Sequence, residues 1–349
     1  MNKPPLVCRL IPLAIFLCLL CSPAQAQDQD LPTEFLSSHF GTIRGWLEYS
    51  VDHDFQQGVS DQPSEFSLTE YYLRVPGFRW LDQDHEFLVG SSLRILDVDT
   101  DAMFPDTAQS FPEYFANPEL ILAYKQRIAG AKIWGASLTL GSPSDRPFAS
   151  IQEVAVDATA FLRLPVGQGG DAWLLFINYS NARPGLQHIP LPGIAYVYEP
   201  SEDFLALVGV PFTFINYKPS PRWTLRASYI LPRDLQAKAS YELSDSLTLY
   251  SGFDWGSDIF FRHDRHDDED RLFFYKKTLS AGIRWELSED LYLDFSAGYR
   301  FDRFFFEGED YDDRSFNRID VGDGAFLALR VALALDQPTS GLNGQGTGR

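Results

Sequence analysis

The chain has 349 residues, 45% of them hydrophobic and 15% aromatic, with a formal charge of -19 that becomes -21 once Lys3 and Arg9 are removed with a leader. That acidity excludes nucleic acid as a partner, since phosphate binding needs a basic surface. The three cysteines, Cys8, Cys18 and Cys21, all lie near the start, so a mature chain has no disulfide and no cysteine-based metal site or nucleophile.

Residues 1–26 read as a secretory signal peptide. Lys3 and Arg9 supply the positive n-region, Leu10 to Cys21 the apolar run, and Ala24-Gln25-Ala26 a small-residue cleavage site. Residues 27–39 then form a short periplasmic arm. After residue 26 no apolar run approaches the eighteen residues of a spanning helix. A spanning strand needs only about nine to eleven residues with one apolar face.

From residue 40 to 336 the period is two. Ile43, Gly45, Leu47, Tyr49 and Val51 alternate with Arg44, Trp46, Glu48, Ser50 and Asp52. Trp223, Leu225, Ala227 and Tyr229 form one face of a later segment, and Leu291, Leu293, Phe295, Ala297 and Tyr299 one face of another. Leu327, Leu329, Val331, Leu333 and Leu335 close the series. Such alternation is a strand signal. Strands are expected to begin near residues 41, 66, 86, 118, 131, 152, 172, 190, 204, 212, 223, 235, 247, 271, 291 and 324. An even count of 12, 14 or 16 would close a barrel. Pro211 falls in a turn or a bulge between two short arms.

The connections come in two kinds. YEPSEDFLAL from Tyr198, YKPSPRWTL from Tyr217, YELSDSLTL from Tyr241 and WELSEDLYL from Trp285 each place an aromatic before a short polar turn. Ser, Asp and Pro favour such turns, and the aromatics suit a membrane interface. The segments 52–65, 97–119, 256–271 and 307–324 read instead as long polar connections.

Signal peptide, cysteine-free mature chain, alternating strands and Y-x-L-S turns together resemble a bacterial outer-membrane β-barrel of porin-like type. The run GVPFTFINYKPSPRWTLRASY, Gly209 to Tyr229, resembles an uncharacterised barrel family of Gram-negative bacteria. The resemblance implies an all-β, antiparallel, up-and-down transmembrane barrel in the outer membrane. Its implied partners are outer-membrane lipids and lipopolysaccharide, the barrel assembly machinery and small solutes. The chain departs from the barrel pattern at its end: DQPTSGLNGQGTGR follows Leu335 where such chains usually stop on an aromatic residue, and 337–349 reads as a disordered tail.

If the Leu, Val and Phe faces meet lipid, alternation turns Arg44, Glu48, Arg226, Lys238, Glu242, Asp254, Lys276, Arg284, Glu286, Asp294, Arg300 and Arg330 inward, with Tyr250, Tyr292 and Phe326. They would line a charged pore or fill a narrow barrel as an ion-pair network. One bulge would reverse a strand's faces from that point on. No cofactor is expected. HDRHDDED, His263 to Asp270, reads as a solvated acidic loop or a divalent-cation site. Asp97-Val-Asp-Thr-Asp101 begins like a calcium loop, but Ala102 and Ala108 stand where Gly and Glu belong. Ser37, Ser38, His39, His53, His85 and His188 sit in no hydrolase motif, so no enzyme is expected.

Overall fold

The computed structural model describes residues 36, 39–41, 45–167, 169–231 and 234–335. The expected signal peptide, the tail after Leu335 and most of the arm lie outside the described residues.

Among the described residues seventeen strands form one antiparallel sheet. They are β1 (Gly45–Gly58), β2 (Glu65–Leu81), β3 (His85–Thr100), β4 (Tyr114–Ile128), β5 (Lys132–Gly141), β6 (Ala155–Pro165), β7 (Ala172–Ser180), β8 (Leu191–Ser201) and β9 (Phe204–Val210). They continue with β10 (Phe212–Ser220), β11 (Trp223–Ile230), β12 (Asp234–Ser244), β13 (Leu247–Phe260), β14 (Arg271–Ser288), β15 (Leu291–Gly308), β16 (Ile319–Val321) and β17 (Gly324–Leu335). Sixteen of them make the wall. β1 pairs with β17 from Gly45 opposite Leu335 to Asp54 opposite Phe326, which closes the sheet into a barrel. The short β16 pairs with the top of β15 and bridges to Val59 just past β1, which extends the wall above β17. Closure pairs every wall strand among the described residues on both sides, which is what a lipid environment demands.

The connections alternate in length. Those after β2, β8, β10, β12 and β14 take two or three residues, whereas those after β3, β5, β7, β13 and β15 take ten or more. Pro211 alone joins β9 to β10, through a cis peptide bond. The long connections are shorter than the sequence suggests. β1 runs on to Gly58, β3 to Thr100 and β13 to Phe260, so Asp97 and Asp99 belong to a strand and not to a loop. Near the mouth the strands rise beyond the apolar belt, and their alternation no longer reads as apolar against polar.

The recurring aromatic turns now have a joint role. At the short-turn end Tyr198 packs on Phe204 with ring centroids 5.9 Å apart, and Phe204 on Tyr217 at 5.6 Å. Trp223 and Tyr241 meet at 5.0 Å, and Trp173 and Tyr196 also at 5.0 Å. These cross-strand pairs form a belt at the level where a membrane meets water. Between the ends the outward side chains are large and apolar and stay exposed, as at Val208, Leu279, Phe295 and Leu327. In water such a surface would be a liability; in lipid it is the solvated face.

Candidate functional site

Inside the barrel lies a polar cavity of about 450 Å³. Of the residues that alternation turns inward, Arg226, Lys238, Asp254, Lys276, Asp294, Arg300 and Arg330 line it, with Tyr250 and Phe326. Others lie nearer the short-turn end. Glu48 accepts from Arg330 Nε at 3.2 Å. Arg284 donates to Asp294 Oδ2 through Nε at 3.1 Å and Nη2 at 3.0 Å, with its guanidinium 4.5 Å over the Tyr292 ring. Glu286 is half-buried and Glu242 exposed. Arg44 lies outside the described residues.

The structure adds members that the sequence analysis passed over. Arg94 on β3 forms two forked pairs. It holds Glu70 of β2 through Nε and Nη2, both at 2.7 Å, and Asp258 of β13 through Nη1 at 2.7 Å and Nη2 at 3.0 Å. Lys276 Nζ reaches the same Asp258 at 2.7 Å. Since β3 and β13 are separated by five strands around the wall, Arg94 ties opposite parts of the lumen together. Arg300 bonds both Asp52 and Asp54 of β1. Glu70 and Arg94 follow the same inward alternation and were legible from it. Arg303 was not. Asp302 has φ +53°, and the β14–β15 register slips between Tyr275 and Lys277. This bulge turns Asp302 to the outside, where it accepts from Lys277 at 2.6 Å, and brings Arg303 in toward Asp54 at 3.5 Å. Simple alternation puts Asp302 on the inner face; the extra residue corrects that.

Above the cavity the barrel mouth is filled. Phe66, Leu68, Leu96, Val98, Phe104, Phe111, Phe115, Phe260, Phe274 and Phe305 belong to one buried apolar cluster. Phe305 stacks on Phe274 at 4.2 Å and meets Phe111 edge-on at 4.8 Å. Loops lock over it. Arg262, almost fully buried, lies 4.3 Å over the Phe104 ring, pairs with Glu307 at 3.2 Å and bonds Gln109. Gly185 N donates to Glu309 O at 3.1 Å, and Gln187 accepts from Arg271 at 2.8 Å, so the loop after β7 spans the mouth.

At the short-turn end a second apolar cluster fills the side of β4–β10, and Leu36 and Phe40 pack against it. Lys125, fully buried, donates to the His39 carbonyl at 2.6 Å and pairs with Glu86 at 3.3 Å; Glu86 also holds Arg79 at 2.9 Å. Phe40 lies beneath Lys125 and Arg127, at 4.9 and 4.8 Å. The end of the expected arm therefore sits inside the wall.

The acidic loop is tied down at one point. His263 Nδ1 donates to the buried Glu153 Oε1 at 3.0 Å, and Ser150 N to Oε2 at 2.7 Å. Burial alone would raise the Glu153 carboxyl, but these bonds and the charges of His263 and Arg265 hold it below the usual carboxylate range. A depressed carboxyl stabilises above its unfolded pKa, about 4.3, and that contribution is lost as pH falls through the lower folded value. Hydrogen exchange of loop 261–270 is therefore expected to accelerate below about pH 4. In Glu153→Gln it should be fast already at neutral pH; an unchanged rate there would contradict the tie.

Three other imidazoles bond hydroxyls: His53 with Thr69 at 2.9 Å, His85 with Tyr124 at 2.6 Å and His188 with Tyr179 at 3.2 Å. Ser37 and Ser38 lie outside the described residues. Among the described residues no group of three or more His, Cys, Asp or Glu side chains is placed to hold a metal ion.

A closed sheet with an apolar outer belt, aromatic turns and a charged interior is built to stand in lipid. The chain is a membrane-spanning β-barrel of the outer-membrane type. No family model matches it, and no curated protein does. Solved structures do. An outer membrane channel from Pseudomonas putida F1 is similar with TM-score 0.38 at 12% identity, over 89% of this chain and 100% of that one. The Pseudomonas putida toluene transporter TodX gives 0.44 at 9% identity, over 90% and 95%. A Pseudomonas aeruginosa FadL homologue gives 0.35 at 11% identity, over 83% and 90%. The assignment rests on the ladder and its two faces, and these likenesses carry nothing about cargo.

Proposed function

We propose that this barrel passes small polar solutes, with the charged lumen as the selective segment. The observation that supports this most directly is the 450 Å³ polar cavity at mid-barrel, enough for roughly fifteen waters. A barrel meant only to be a solid wall gains nothing from such a space. Arg226, Lys238, Asp254, Asp294, Arg300 and Arg330 would set the transverse field along the path, and Glu48, Arg284, Glu242 and Glu286 its short-turn end. The outer loops, with Asp264, Asp267, Asp268, Glu269 and Asp270, would concentrate cations at the mouth. Passage requires the aromatic cover to move.

That cover also favours a second reading. A mouth closed by packed phenylalanines suits a non-conducting barrel whose acidic loops meet a surface partner. Single-channel recording of the detergent-purified protein in a planar bilayer decides between them. Stable conductance steps are expected, and a salt gradient reads their ion preference. Arg226→Glu with Lys238→Glu is then expected to move the reversal potential toward cations. Silence from protein of folded gel mobility would refute passage.

A further inference from the structure

The inner face of the short-turn end is built in two chemistries. Paired residues share a face of the sheet, and one row runs Glu86, Lys125, Gly135, Phe161, Phe176 and Gly193 across β3 to β8. Its β3–β4 part is ionic. Its β5–β8 part is apolar and adjoins Ile133, Leu174, Ala195 and Leu207 of the buried cluster on that side. An open lumen would wet both parts. Neither is exposed: Glu86 and Lys125 are 0% exposed, and Ile133, Leu174 and Ala195 at most 1%.

Leu36 and residues 39–41 lie against both parts. Lys125 donates to the His39 carbonyl at 2.6 Å, and Gly41 N donates to Glu86 Oε2 at 3.3 Å. The segment thus supplies backbone bonds that water would otherwise give these ions. Leu36 and Phe40 pack on the apolar part. The seat is tight at Gly41, whose φ is +81° and where a Cβ would come within 3.0 Å of Leu81 Cδ2. Phe214 belongs to the cluster and also lines the polar cavity, so the sealed and the wet sides of the lumen adjoin.

We propose that Leu36 and residues 39–41 form an internal plug, which seals the β3–β10 side of the short-turn end against water and confines solvent to the polar cavity beside it. Both parts of the seat need the same segment. Without it the ions draw water, and that water reaches the cluster. The seal stands without the lumen reading above; only its effect on passage, a narrower path at that end, rests on it.

The test is the reaction of a single cysteine, Ala195→Cys, with a small charged methanethiosulfonate. It uses the full chain carrying Cys8→Ser, Cys18→Ser and Cys21→Ser, folded in detergent. Ala195 lies in the cluster, and cysteine adds only a sulfur there. With the plug intact, the folded protein is expected to react at least about a hundredfold more slowly than the same chain unfolded in urea, since reaction needs a local opening. Phe40→Asp puts a charge in the apolar seat, and Gly41→Val is opposed by the positive φ and by Leu81. Each should bring that ratio to about tenfold or less. Gly41→Val keeps every side chain of the seat, so it reads the plug where Phe40→Asp fails to fold. Equal rates in the folded and unfolded parent overturn the proposal. So does full protection in the variants at folded gel mobility, because the cluster would then close without the segment. Labelling needs no passage. The expected labelling with a silent bilayer would refute passage and keep the plug; conductance with unchanged protection in both variants would do the reverse.

Discussion

Phe305→Ala is expected to destabilise the barrel by about 3–5 kcal/mol and to open its mouth. Phe305 is 1% exposed at the centre of the cover, stacked on Phe274 and within 4.8 and 5.6 Å of the Phe111 and Phe66 rings. These rings come from β2, β14, β15 and the loop after β3, so one side chain joins elements that reach the mouth from different parts of the wall. Removing it leaves a ring-sized void that tight packing on several sides prevents from collapsing. Urea unfolding, followed by the gel shift between folded and unfolded forms, reads the stability. Planar-bilayer conductance reads the opening, and the variant should pass current more often than the parent. Phe305→Leu keeps most of the apolar volume and should lie between the two. A variant that is destabilised but conducts as before would show that the cover is not the barrier.

Arg94→Met is expected to cost about 3 kcal/mol, the lower end of the range for breaking a buried pair, because about a fifth of each partner still meets lumen water. The guanidinium holds Glu70 and Asp258 in two forks, and without it those carboxylates face each other across the lumen. Lys276 stays on Asp258, so Glu70 is the group left stranded. The double variant Arg94→Met with Glu70→Gln should therefore recover part of the loss, since the stranded charge is gone. Equal urea midpoints for the single and double variants would show that Arg94 matters through its packing on Phe260 and not through its charge.

Much of the barrel was legible in advance, and the reason lies in particular segments. Trp223 to Tyr229 and Leu291 to Phe301 alternate cleanly because lipid on one side and water on the other impose opposite chemistry on successive residues. The strand starts at 172, 204, 212, 223, 247, 271, 291 and 324 coincide with those of the barrel, each fixed by a turn that polar or proline residues punctuate. Parity alone turns Arg226, Lys238, Asp254, Lys276, Asp294 and Arg300 toward the cavity they line. Parity failed at Asp302, where one residue in a left-handed conformation reversed the face and put Arg303 inside. It gave no warning of the cover. Phe104 and Phe111 sit in a polar connection, and Phe66, Phe115 and Phe274 are inward residues whose apolar character breaks the expected pattern. Their burial depends on loops meeting across the mouth, and such meetings leave no periodic trace.

The sequence by itself determined the strand period and the belt of aromatic turns. Each of these depends on neighbours within a few residues and on the two solvents the wall divides. Only the tertiary structure decided that β1 meets β17 at sixteen wall strands, that Arg94 finds Asp258 across the lumen, and that phenylalanines from distant segments close one end above a polar cavity. Those contacts join residues that lie up to a whole barrel apart in the chain, and closing the sheet is what brings them together.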